Sequence, residues 1–245
     1  MLQLTAAQLE DFGRNGYLVI PSAIPSQILS SASRAIDDVI KSSSPGTEIR
    51  GPRNFFLELE HSPPLRALFS EGLLLAYGEQ LTAQGLLEMP WQIQVALNIP
   101  PFPHRPAMPH IDGFPPESDG RPGTFTMLVG VLMSEQQDED HGNLWVWPGT
   151  HLLNARYFRT HGADSFFEAR GYPPIELPEP IQIRGRTGDV LLAHYLLGHN
   201  IGGNTSSGVR RAAYFRVKAK GHDERWREIL QDPFLEYDAI RNKPE

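Results

Sequence analysis

The spacing of apolar positions changes near residue 90, from helical before it to strand-like after it. Thr5 and Gln8 are spaced as a capping box, and Leu4 and Leu9 stand where a hydrophobic staple would close around it. This predicts a short helix through Phe12, ended by Asn15-Gly16, and then a strand over 17–20 stopped by Pro21. A second helix is predicted from Pro25, with Ile28, Ala32, Ala35, Ile36 and Val39 as its stripe, broken at 42–46. Leu68, Phe69, Leu73, Leu75 and Leu81 give a third over 65–84. Beyond Pro90, strands are predicted over 91–99, 125–133, 143–147, 181–183, 189–193 and 212–217. Helices over 152–170 and 223–230 interrupt and close this region.

No repeat or compositional break divides the chain. The expectation is one domain over 1–245. A helical part over about 1–88 precedes a β-core over about 90–220 and a helical tail. The fold class is mainly β with flanking helices, an antiparallel core of barrel or jelly-roll type behind an N-terminal helical layer. Gly and Pro, 22 each in 245 residues, suit many short strands better than a helical bundle.

Charge narrows the partners. With 22 Lys+Arg against 29 Asp+Glu the net charge is −7, which argues against nucleic acid. No apolar run is long enough for a membrane helix, and the first 16 residues lack a signal-peptide pattern, so a cytoplasmic protein is expected. The absence of cysteine removes disulfides, thiolate zinc sites, iron–sulfur clusters and thiol nucleophiles. Any metal must be held by His, Asp and Glu.

Such a set is available. In an extended segment, His110 and Asp112 project to the same face. Further on, a buried strand carries His194 toward Leu197-Gly198-His199, then a loop over 202–208 turns back to Arg210-Arg211. Two histidines and one carboxylate leave half of a metal's coordination open, the facial arrangement of non-haem Fe(II). Arg210, eleven residues after His199, can lie beside it across an antiparallel pair and offer a carboxylate clamp. His194 competes with His199, and Arg211 with Arg210; neighbours on a strand point oppositely, so only one Arg enters the pocket.

Four segments carry a resemblance: the opening from Leu4-Thr to Gly16-Tyr-Leu-Val-Ile-Pro21, His110-x-Asp112-Gly113, Gly142-Asn-Leu-Trp-Val-Trp-Pro-Gly-Thr-His151, and Gly188-Asp-Val to His194, His199, Asn204 and Arg210. In order and spacing the chain resembles the phytanoyl-CoA dioxygenase (PhyH-like) family of Fe(II)/2-oxoglutarate-dependent oxygenases. The resemblance implies a double-stranded β-helix (jelly-roll, cupin-like) core. It implies His110, Asp112 and His199 as iron ligands and Arg210 on the far carboxylate of 2-oxoglutarate, and it favours His199 over His194 and Arg210 over Arg211. Gln94 and Asn98, four apart on one strand face, and Trp145 would join the co-substrate pocket. The implied activity is hydroxylation of a small-molecule C–H bond, consuming O2 and 2-oxoglutarate and releasing succinate and CO2. A carboxylate at Asp112 argues against halogenation, which needs a small residue there. Loops 44–56, 100–125 and 157–180 are expected to form the substrate pocket. The protein is expected to be a monomer or homodimer.

The remaining candidates read as structural. His151 fits a helix start with Thr150 as N-cap, His61, His161 and His222 look like surface residues, and His141 lies in an acidic loop over 136–142 that reads as solvated. His104 could touch substrate or simply occupy its loop. Arg53, Arg105 and Arg121 read as exposed charge. Two other functions compete: a non-oxidative cupin-type metal isomerase or hydrolase, which would need no clamp at Arg210, and a non-catalytic ligand-binding protein, which would need no intact triad.

Overall fold

The computed structural model describes residues 3–42, 49–57, 62–169 and 172–241. In chain order the elements are α1 Ala6–Asn15, β1 Tyr17–Ile20, α2 Ser26–Ser42, β2 Gly51–Leu57, α3 Pro63–Ser70, α4 Leu74–Leu81 and β3 Gln92–Ile99. Then come β4 Met127–Leu132, β5 Leu144–Val146, α5 Thr150–His161, α6 Ser165–Glu168, β6 Ile181–Gln182, β7 Val190–His194, β8 His199–Ile201 and β9 Arg210–Val217. A 3-10 turn at Asp223–Arg225, α7 Trp226–Gln231 and α8 Asp238–Arg241 follow.

The capping box forms as the spacing predicts. Thr5 Oγ1 accepts from Gln8 N at 3.2 Å, Gln8 Oε1 accepts from Thr5 N at 2.9 Å, and Gly16 closes α1 in the left-handed region at φ 80°. Two predicted helices are each split. The 65–84 helix breaks between α3 and α4, where Leu73 takes a positive φ and is part exposed rather than on the buried stripe. Gly72 is the enabling residue, since a Cβ there would stand 2.1 Å from the Leu68 carbonyl oxygen. The 152–170 helix breaks at Gly162, φ 85°, between α5 and α6; its predicted end at residue 170 lies outside the described residues, as do 43–48 after α2 and His61.

Two antiparallel sheets make the jelly-roll core. The larger runs β1-β7-β4-β9-β3-β2 and the smaller β6-β5-β8. The outer face of the larger sheet, with Ile93, Val95, Val129, Leu192 and Phe215, packs on Phe12, Ile36, Leu68, Phe69 and Leu81 of the helical layer. Its inner face, with Ala96, Leu128, Leu191, Ala212 and Tyr214, meets Leu144 and Val146 of the smaller sheet. β4 and β7 are therefore buried on both faces, which is why they read as continuous apolar runs without alternation. Part of the 44–56 segment read as loop is strand β2. Its Gly51-Pro52 start is tolerated because β2 is the edge strand, where no ladder needs a proline N–H.

Among the described residues no helix is long and apolar enough to cross a membrane.

Candidate metal centre

The 100–125 segment brings His110 to β8. The two backbones exchange hydrogen bonds, His110 N to His199 O at 2.9 Å and His199 N to His110 O at 3.0 Å, and the rings stand 4.5 Å apart. Asn200 Nδ2 ties the same segment down by donating to the Met108 carbonyl at 2.7 Å. The period of two then points Asp112 inward, with its Oδ1 3.8 Å from His110 Nε2. Donor atoms of His110, Asp112 and His199 lie within 4.8 Å of one another. Ligands about 2.1 Å from one ion and at right angles, as in a facial set, stand about 3.0 Å apart, so side-chain shifts of about 1–2 Å would bring all three onto it.

Protonation suits a cation. His199 Nδ1 lies 2.9 Å from the Leu197 carbonyl oxygen, which can only accept, so Nδ1 carries a proton and Nε2 is the nitrogen that could face a metal. Burial, then the neighbouring His199, hold His110 down at about 4 against the pull of Asp112, so its ring is neutral at pH 7. Burial raises the Asp112 carboxyl, but His199, Arg216 and His110 outweigh it and keep the carboxyl below its ordinary range. His110 and Asp112 are thus each in the protonation state that binds a metal.

A cavity of about 230 Å³ opens beside the triad. The register of β3 with β9 pairs Asn98 with Arg210, Gln94 with Tyr214 and Gln92 with Arg216, and of these Gln94, Arg210, Tyr214 and Arg216 stand on the cavity wall. Arg210 is 2% exposed. Its Nε donates to Gln136 Oε1 at 3.1 Å and its Nη2 to the Tyr214 hydroxyl at 2.6 Å, while Nη1 has no partner. Among the described residues its partners are the neutral Gln136 and Tyr214 rather than a carboxylate, and a buried cation without a counter-charge costs several kcal/mol. Its Nη1 is thus a donor left for an anion entering the cavity. Arg211, one residue on, faces the helical layer and pairs with Asp37 of α2.

The other sequence candidates divide. Gln94 lines the cavity with the triad. Asn98 is fully buried with its Oδ1 unpartnered, but its Nδ2 is spent on the Gly202 carbonyl at 2.6 Å and it does not line the cavity. Trp145 is brought elsewhere: alternation along β5 turns Leu144 into the cavity and Trp145 to the opposite face, where it lines a hollow with Arg105, Gln182 and Arg184. His194 is a core residue. It donates through Nε2 to the Pro233 carbonyl at 2.6 Å, accepts from Leu196 N through Nδ1 at 2.9 Å, and stacks on Tyr237.

Three structural readings need correction. Thr150 is the first residue of α5, after the N-cap Gly149, and its hydroxyl bonds Trp147 O and Gly198 N instead of capping the helix. His222 is buried against Glu236, at 2.9 Å, rather than on the surface. In the 136–142 loop read as solvated, Gln136 is fully buried under Arg210. The sequence reading also missed Tyr214 and Arg216. Their signal was present, because period-two alternation from Arg210 through Ala212 puts both on the cavity face.

The sequence profile of the phytanoyl-CoA dioxygenase (PhyH) family matches residues 12–212. The chain belongs to that family. The fold of this PhyH protein is shared by solved structures of low identity. The non-heme alpha ketoglutarate dependent carbocyclase SnoK from nogalamycin biosynthesis is 18% identical, with a TM-score of 0.63 over 87% of this chain and 83% of that one. HygX from Streptomyces hygroscopicus, solved with nickel and 2-oxoglutarate bound, is 21% identical, with a TM-score of 0.61 over 88% and 87%. The epimerase SnoN from nogalamycin biosynthesis is 18% identical, with a TM-score of 0.63 over 86% and 82%. No curated protein matches the chain.

Proposed function

We propose that this PhyH-family protein is a non-haem Fe(II)- and 2-oxoglutarate-dependent oxygenase that hydroxylates a C–H bond of a small molecule. The observation that carries the proposal is Arg210, a buried and unpaired guanidinium lining one cavity with a His-Asp-His set. A metal site alone would suit many reactions; a second, cationic anchor beside it suits a co-substrate with a carboxylate at each end. The solved structure of HygX with nickel and 2-oxoglutarate supports the same pairing of metal and 2-oxo acid.

In this reading His110, Asp112 and His199 hold Fe(II). When bound, Fe(II) with O2 and the 2-oxo acid supplies an oxidant able to take hydrogen from a C–H bond. The chain's own groups do the rest. Arg210 receives the far carboxylate. The Tyr214 hydroxyl, accepting from Arg210 Nη2, keeps its own proton free to donate to the same carboxylate. Leu128 and Leu144 give the cavity an apolar wall. One oxygen atom goes to the substrate and the other to succinate, with CO2 released. As a ligand, the carboxylate of Asp112 would hold the position a halide would need.

The substrate's place is an outer hollow of about 400 Å³, walled by Trp91, Phe114 and Pro115, that shares Asp112 and Arg216 with the metal cavity. That volume lies in the range of small-molecule sites. HygX and SnoN have been solved with hygromycin B and nogalamycin RO, which supports a natural-product-sized substrate here.

The test is an anaerobic titration of metal-free protein with Fe(II) and then 2-oxoglutarate. A visible charge-transfer band that needs both additions is expected. Bound Fe(II) with no band, and no succinate formed in air, would sink the proposal.

A further inference from the structure

We infer that Arg216 is a positioning residue for the carboxylate ligand: it occupies Oδ2 of Asp112 so that Oδ1 alone is presented to the metal. The inference rests on the metal assignment proposed above. Arg216 donates to Oδ2 twice, from Nη2 at 2.9 Å and from Nε at 3.2 Å. Its remaining nitrogen, Nη1, donates to Gln92 Oε1 at 2.7 Å, from the residue directly opposite in the β3–β9 register. The guanidinium lies over the Phe125 ring at 5.6 Å, and the side chain is 13% exposed. Asp112 is also held from behind, because its backbone carbonyl accepts from the buried Tyr195 hydroxyl at 2.9 Å. The free oxygen, Oδ1, is the one turned toward His110 Nε2.

The chemical consequence concerns how many positions the protein leaves open. A carboxylate can give a metal one oxygen or two. With two histidines and one oxygen, a six-coordinate ion keeps three positions, enough for a chelating 2-oxo acid and O2. With two oxygens from Asp112 it keeps two, and the 2-oxo acid would fill both. A forked donor aimed at Oδ2, itself anchored on Gln92, makes the second mode unfavourable, since binding through Oδ2 would strand a mostly buried guanidinium.

The experiment loads the protein with Mn(II) alone and measures solvent-proton relaxation, which counts coordinated waters without any turnover. Arg216→Gln is expected to lower the relaxivity per bound Mn(II) by about one third, from three open positions to two. Arg216→Lys, which keeps the charge and one donor, is expected to recover most of the loss. Equal relaxivity in all three proteins, each with Mn(II) bound, would overturn the role of Arg216. If Arg216→Gln does not fold, Gln92→Leu removes only the outer anchor and is expected to give a smaller fall; an unchanged value there overturns the inference as well. Wild-type protein that takes up no Mn(II), or Asp112→Ala protein that takes up as much as wild type, would instead overturn the metal assignment.

Discussion

Replacing Arg210 by Met removes the one cation proposed to face the far carboxylate while keeping an unbranched side chain of similar reach. In the wild-type protein Nη1 is unpartnered and the residue is 2% exposed, so an incoming carboxylate meets a desolvated guanidinium. Losing one partner of a buried charge pair costs about 2–5 kcal/mol, which weakens 2-oxoglutarate by about thirty-fold to several thousand-fold. The fold is expected to survive. Gln136 and the Tyr214 hydroxyl each lose a donor, at about 1–3 kcal/mol apiece, but the unpaired buried charge disappears with them. A thermal-shift assay with Ni(II) reads the difference. At a hundred times its Kd, 2-oxoglutarate stabilises the wild type by about 2.7 kcal/mol. For a chain of this size that raises Tm by about 5–10 °C. The same concentration is expected to move Arg210→Met by at most about 0.9 kcal/mol, a Tm shift of about 2–3 °C, and by less where the loss is greater. Pyruvate, which lacks the far carboxylate, is expected to bind both proteins alike. A full 2-oxoglutarate shift in Arg210→Met, with metal bound, would refute the clamp and with it the argument from the unpaired guanidinium.

Acid is expected to weaken the fold through His194. Burial, opposed by the Pro233 carbonyl and Glu236, lowers its pKa from 6.5 to about 4, so the folded state keeps the ring neutral where the unfolded chain protonates it. Stability is therefore fully present above pH 6.5 and falls by about 3 kcal/mol toward pH 4; denaturant melts should show a shallower slope in His194→Gln, and an equal slope would dismiss the assignment. Gly130→Ala would put a Cβ 2.9 Å from the Tyr214 ring inside the central strand, at a cost of about 1–3 kcal/mol in chemical denaturation; a neutral result would mean that Tyr214 is free to move. Glu236→Ala takes a hydrogen-bond partner from His222 Nδ1 and from the Thr126 hydroxyl, which donates to Glu236 at 2.6 Å, and is expected to cost about 1–3 kcal/mol for each; a total loss below about 1 kcal/mol would show that these buried contacts contribute little.

By itself the sequence determined whatever is set by neighbours within a few residues. The Thr5/Gln8 cap, the turn at Gly16, the unbroken apolar runs of β4 and β7, and the shared face of His110 and Asp112 all follow from local backbone periodicity. So does the opposite aim of Arg210 and Arg211, once a strand runs through them. The splits at Leu73 and Gly162 escaped because an apolar stripe does not register one left-handed residue or one glycine. Strand β2 escaped because its Gly51-Pro52 start has the composition of a turn, and only an edge position makes that harmless.

Tertiary structure decided which polar groups meet. Arg216 and Asp112 are 104 positions apart, His222 and Glu236 belong to a pair closed only when the tail folds back, and Gln136 is buried because Arg210 needs an acceptor beneath it. Trp145 and Leu144 are both apolar, and only the packing of the smaller sheet against the larger chose which one faces the cavity. Period two fixes that neighbours on a strand point oppositely. Which face becomes the inside depends on register between strands distant in sequence, and that is settled by burial summed over the whole sheet.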